Sequence, residues 1–245
     1  MINFLANPLR FKKFAKVAAP IFGVLALFLI SGGLYFGLYN SPEDQLQGHS
    51  VRIMYVHVPA VWTGMAAYAG MAFSSLLAYI WRHPLSDELA RTLALPGAAF
   101  TALGLITGAL WGKTSWGTYW QWDGRMTSTL ILLFLFIGYM AVWASIDDKR
   151  RAARIAGLVA MVGSINLPII KFSVDWWNTL HQTSSVSMPN APGLPSSILL
   201  PLMLMAFGYT FFLGWLVLNK MLNKIANAKT QRKRSAAAST SLEAL

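Results

Sequence analysis

Residues 126–146 read MTSTLILLFLFIGYMAVWASI, without a charge or a proline. A hydrocarbon core of about 30 Å needs roughly 20 apolar residues at 1.5 Å rise each, so this stretch predicts a transmembrane helix. Five further runs of the same kind flank it, at residues 18–39, 58–81, 92–111, 155–170 and 197–218. The fifth of the six, 155–170, is the weakest, because it is short and carries Asn166 and Pro168. Composition agrees: the 245 residues are 56% hydrophobic and 12% charged, against about 25% charged in soluble domains. The expected fold is an all-α polytopic membrane protein of six transmembrane helices. The first run is too long, and lacks the small-residue cleavage site, for a removed signal peptide, so it reads as a retained anchor.

The basic residues orient these helices. Arg10, Lys12, Lys13 and Lys16 precede the first run, Arg82 and Arg91 lie around the second connection, and Lys149, Arg150, Arg151 and Arg154 around the fourth. Lys220, Lys224, Lys229, Arg232, Lys233 and Arg234 follow the sixth. Of the 20 Lys and Arg only Arg52, Lys113, Arg125 and Lys171 fall on the other face. The positive-inside rule therefore places both termini in the cytoplasm. The net charge of +11 is accounted for by this topology, and nucleic acid is set aside as a partner. Residues 1–222 read as one six-helix unit. Residues 223–245 read as a cytoplasmic tail, basic and then Ser/Ala-rich, with the composition of a disordered, solvated end.

The spans hold no Asp or Glu, and no Lys or Arg away from their ends, which leaves out the ionisable groups that proton-coupled carriers and voltage sensors need. Gly33/Gly37 and Gly104/Gly108/Gly112 are small-xxx-small ridges for close helix packing. Cysteine is absent, so the chain has no disulfide, no thiolate ligand, no CxxC pair and no CxxCH attachment motif. A phosphate-loop reading of Gly108–Thr114 fails, since GxxxxGK[ST] requires glycine where Thr107 stands, no strand precedes it, and it lies outside.

The chemistry-bearing residues gather in the outside loops, 40–57, 112–125 and 171–196. An aromatic belt would spread Trp over both interfaces, yet Trp62, Trp111, Trp116, Trp120, Trp122, Trp176 and Trp177 all lie at or near this face. Within the Trp-rich loop, 111–127, Trp116, Tyr119, Trp120 and Trp122 accompany Lys113, Asp123 and Arg125. A bare surface of that kind is costly in water and is expected to cover lipid headgroups or a planar ligand. Two of the four His flank it. His57 stands where the second helix begins, with Pro59 suited to its first turn, and His181 lies four residues beyond Trp177, spacing that fits one face of a short interfacial helix. His49 reads as an exposed mid-loop residue and His83 as a solvated one on the cytoplasmic side.

Two imidazoles are too few for zinc, which takes three or four ligands. Haem iron brings four porphyrin nitrogens and needs one or two axial ligands. The flat macrocycle suits Trp faces, and its anionic propionates suit Arg52 and Arg125 through charge-assisted pairing, the alternative for each arginine being a phospholipid headgroup.

WGKTSWGTYWQWDGRMTS, with RIMYVHVPA before it and NLPIIKFSVDWWNTLHQ after it, closely resembles the CcmC family, the haem-handling membrane proteins of cytochrome c maturation. The likeness covers residues 50–185, with Tyr119 standing where some members carry Trp. It implies a six-helix protein of the bacterial inner membrane whose Trp-rich loop faces the periplasm. By the resemblance, His57 and His181 ligate the iron of a non-covalent, b-type haem. Trp111, Trp116, Tyr119, Trp120, Trp122 and Asp123 form its platform, and Arg52 and Arg125 match basic positions of the same segments. The family works beside an ABC-type ATPase and permease, a small single-span membrane protein and a periplasmic haem chaperone. The expected role is a haem platform and carrier rather than an enzyme. The competing readings are a cytochrome c synthase-type haem lyase component, a solute permease subunit and a purely structural membrane subunit.

Overall fold

A computed structural model describes residues 7–81, 85–181 and 194–243, with side chains described as far as 227. Arg82, His83 and residues 182–193 of the third outside loop fall outside the described residues. The described chain is helical, in seven α-helices: α1 Pro8–Tyr35, α2 Met54–Trp81, α3 Ser86–Trp116, α4 Gly124–Ser145, α5 Lys149–Gly163, α6 Asn166–Trp176 and α7 Ser196–Glu243. A π-helical turn, Phe36–Asn40, extends α1, and a 3-10 turn, His49–Ile53, leads into α2. Six segments are long and apolar enough to cross a membrane, α5 and α6 together making one of them.

Local chemistry sets most of the boundaries. The side chains of Asn7, Asp123 and Asp148 accept hydrogen bonds from the first free N–H groups of α1, α4 and α5, as N-caps do. Asp87 and Glu88 open α3 and Lys113 lies in its last turn, charges that complement the helix dipole. The fifth span is divided at Ser164 and Ile165, and this explains its weak sequence signal. Restarting the helix at Asn166 puts Pro168 in a first turn, where its missing N–H costs nothing. The buried Asn166 amide donates to the Ser128 carbonyl of α4 at 2.8 Å.

Packing uses small residues, since lipid tails remove any hydrophobic drive between helices. A Cβ added at Gly33 would lie 2.6 Å from Met205 of α7, one at Gly37 2.7 Å from Tyr55, and one at Gly104 2.7 Å from Val61. Both ridges therefore act as close-approach surfaces. One buried cluster is rich in Ala, with Tyr68, Met71, Phe136 and Tyr139 filling the larger gaps. A second, around Tyr55, Phe100, Leu202, Met205 and Tyr209, lies beneath the start of α2. Phe28, Phe73, Phe134 and Phe207 face outward, as lipid-facing residues do.

Four expectations are corrected. Helix α3 runs on to Trp116, so the non-helical Trp-rich loop is 117–123 rather than 111–127: Gly117, at φ 77°, adopts the left-handed conformation that ends the helix, which glycine enters at no steric cost. Helix α2 begins before His57, which puts Pro59 beyond the first turn. No interfacial helix carries His181, because α6 ends at Trp176 and residues 177–181 are irregular. The tail does not leave the helical state at residue 222 either. It contains no Gly or Pro, and its Ala, Lys and Arg are strong helix formers, so α7 continues to Glu243.

Candidate functional site

The start of α2, the end of α3, the 117–123 loop, the start of α4 and the segment after α6 meet at one end of the bundle. His57 sits in the first turns of α2 and its ring lies against α3 at Gly108, where a Cβ would come within 2.8 Å of the imidazole Cε1. His57 Nδ1 is 2.9 Å from the Gly104 carbonyl and 3.3 Å from Thr107 Oγ1. Thr107 itself donates to the Leu103 carbonyl at 2.6 Å. A carbonyl only accepts, so Nδ1 carries the proton and the neutral ring keeps a lone pair on Nε2.

His181 is held in the same manner by different partners. Its Nδ1 lies 2.7 Å from Asp123 Oδ2, Thr179 donates to the same oxygen, and the His181 backbone N–H donates to Thr179 Oγ1 at 3.1 Å. The other carboxyl oxygen of Asp123 caps α4 through the Met126 N–H at 2.7 Å. Burial pushes the Asp123 carboxyl up, but hydrogen bonds from His181, Thr179 and Met126 outweigh it and hold the group down at about 2. It is thus ionised at neutral pH and can only accept, so His181 Nδ1 is the donor and its Nε2 is the ring nitrogen left for a ligand. Asp123 was expected as part of a planar platform. Both its oxygens are committed to the α4 cap and to the His181 anchor, and its side chain is 3% exposed.

The end of α3 links the two histidines. Trp111 packs edge-on against His57, with ring centroids 5.8 Å apart, and donates from Nε1 to Gln47 at 2.7 Å. Trp116 packs edge-on against His181 at 4.7 Å.

The other aromatic residues divide by exposure. Trp111, Trp116 and Trp120 are partly buried, while Tyr119 and Trp122 are 56% and 75% exposed, beside a second exposed pair, Trp176 and Trp177, at 57% and 52%. Trp120 packs edge-on against Trp122 at 5.3 Å, and the Trp120 indole N–H is buried with no hydrogen-bond partner. Lys113 lies over the Tyr119 ring at 5.3 Å, a cation–π contact. Arg52 donates one guanidinium nitrogen to the Ser41 carbonyl at 3.2 Å, and its Nε is buried without a partner. Arg125 reaches the Lys171 carbonyl at 3.5 Å, with Asp123 and Asp175 close enough to act on its charge. His49, expected in an exposed loop, is exposed and paired with Glu43 at 2.9 Å.

A family model described as Heme exporter protein C matches residues 1–236. The chain belongs to the haem exporter protein C family. A haem exporter protein C of Bradyrhizobium diazoefficiens is 46% identical over 227 residues, covering 93% of this chain and 86% of that protein. The haem exporter protein C of Haemophilus influenzae is 42% identical, with 82% and 81% covered, and that of Escherichia coli K12 is 38% identical over 232 residues, with 94% and 93% covered. The match extends beyond residues 50–185, where the resemblance was read, to both flanks. Membership makes the chain a membrane component of haem export and not an enzyme.

Sequence reasoning missed Gln47, Gly104, Thr107 and Thr179 as partners of these rings. It read Gly108 as a packing residue only. Thr179 carried one usable signal, a hydroxyl two residues before a candidate ligand, which is the spacing of a local side-chain-to-backbone turn.

Proposed function

We propose that this chain holds haem as cargo at the outer rim of the membrane and presents it to a periplasmic haem chaperone for cytochrome c maturation. One observation carries the reading: two histidines from distant stretches of chain each use Nδ1 to grip a fixed acceptor, Gly104 O and Asp123 Oδ2, and so offer Nε2 to a metal. Metal-binding histidines are oriented in this way by their outer partners. His57 and His181 would serve as axial ligands of the iron. Trp111, Trp116, Tyr119, Trp120 and Trp122 would line the macrocycle, while Asp123 positions His181. Arg52 and Arg125 would face the propionates, and the buried Arg52 Nε and Trp120 N–H are donors that lack an acceptor. Without cysteine the chain has no thiol with which to hold haem covalently, so the binding is of the b type and reversible. An exposed rim suits a carrier, because a fully enclosed ligand leaves slowly.

The charge asymmetry supports a bacterial inner-membrane location with both termini cytoplasmic. The partners in this reading are the ABC-type ATPase and permease, the small single-span protein and the surrounding lipid. The visible spectrum of the purified protein tests the ligands. His57→Ala and His181→Ala should each replace the parent's iron ligation, and a parental spectrum in both would overturn the assignment. Trp120→Ala and Trp122→Ala should lower haem occupancy while membrane insertion stays normal. Failure to insert would instead identify these rings as an aromatic belt.

A further inference from the structure

The opposite end of the bundle, which carries the basic residues, holds a cleft of about 460 Å³ between α3, α4 and α7. Arg91, Lys220 and Lys224 line it, against one carboxylate, Glu88. Lys224 pairs with Glu88 at 3.2 Å, whereas Arg91 and Lys220 have no carboxylate partner among the described residues. The Arg91 guanidinium lies over the Trp143 ring, 4.8 Å from its centroid, held at the wall of the cleft.

Thr92 supplies an independent observation. Several helical Thr return their hydroxyl to the carbonyl four residues back: Thr101 to Gly97, Thr129 to Arg125 and Thr210 to Ala206. Thr92, a lining residue of the cleft only 1% exposed, does not, and its buried hydroxyl has no hydrogen-bond partner. A buried hydroxyl left unpaired is costly, and a ligand oxygen would remove that cost. One turn further along, Leu95 also lines the cleft and is 57% exposed, so the cleft runs from a cationic end onto the lipid-facing surface of α3.

We propose that this cleft binds the phosphate of an anionic phospholipid from the leaflet at the basic end of the bundle. Arg91 and Lys220 hold its charge, Thr92 donates a hydrogen bond, and the acyl chains run past Leu95. Basic pockets between transmembrane helices suit such headgroups, and the apolar exit distinguishes a lipid from a free phosphate ion.

The test uses the full chain purified in neutral detergent, with bound lipid counted by native mass spectrometry. The parent should retain phosphatidylglycerol and not phosphatidylcholine through detergent exchange. Arg91→Gln with Lys220→Gln should weaken retention roughly thirtyfold, the effect of losing two basic contacts to a headgroup. Thr92→Val should weaken it severalfold without loss of thermal stability, since it removes an unpaired hydroxyl; if Thr92 were only structural, retention would not change. Should the double variant fail to fold, Thr92→Val and Lys220→Gln alone decide the matter. Unchanged retention would overturn the proposal, as would displacement of the lipid by an equal concentration of inorganic phosphate or of a dicarboxylic porphyrin.

Discussion

Asp123→Asn should cut haem affinity by about tenfold to a hundredfold, the usual scale for losing the outer partner of a metal-binding histidine, while the protein still folds and inserts. The two oxygens of Asp123 have separate tasks. Asparagine keeps an oxygen for the Met126 N–H and caps a helix about as well as aspartate, so the start of α4 is preserved. Its NH₂ group then replaces the oxygen that faces His181 Nδ1 and Thr179. Thr179 can turn its hydroxyl and accept. His181 can accept only by giving up the Nδ1 proton, which moves to Nε2 and blocks the nitrogen the iron would use. Asp123→Ala removes the cap as well, at a further cost of about 1 kcal/mol in stability, so the two variants separate the tautomer effect from the fold effect. Haem titration followed by visible absorbance, with circular dichroism as the folding control, reads both. Parental haem affinity in the Asn variant would show that the Asp123–His181 contact does not position the ring for a metal.

The spans were legible in the sequence because a run of uncharged apolar residues has one inexpensive solution in a bilayer. Their ends were less so. Gly112 to Ser115 lack the hydropathy of a span, yet α3 passes through them, since helical hydrogen bonding carries on until Gly117 turns left-handed. His57, His181 and the tryptophans stood out by type and by position beside the apolar runs. Their supports did not. The acceptor for His57 is a backbone carbonyl, which leaves no mark on residue type. The Asp123–His181 pair spans 58 positions, and no local pattern announces it. Asp123 did carry a readable signal, an acidic residue just before an apolar run, which is a helix start; its second oxygen carried none. The candidate site thus showed through side-chain type and position, while the contacts that fix those side chains became visible only in three dimensions.

Gly108 joins these two levels, and Gly108→Val should remove His57 from the site while the helix pair α2–α3 survives. Read as one step of a glycine ridge, the position needs only to be small. In the structure its missing side chain is filled by the His57 ring, since a Cβ would stand 2.8 Å from Cε1, closer than carbon atoms tolerate, and 3.2 Å from Nδ1. Valine adds two methyl groups beyond that Cβ, so the ring must rotate off the Gly104 carbonyl, with an overpacking cost of about 1–3 kcal/mol. The neighbouring approach of Gly104 to Val61 is untouched and keeps the helices together. The spectrum of the Gly108→Val protein is therefore expected to match that of His57→Ala, with His181 left as the single protein ligand. Gly108→Ala should fall between parent and valine, because one methyl group can be met by a small tilt of the ring. If the valine variant binds haem with parental ligation, the His57 ring is not held against α3 in the haem-bound protein, and the Gly104 anchor has no part in presenting Nε2.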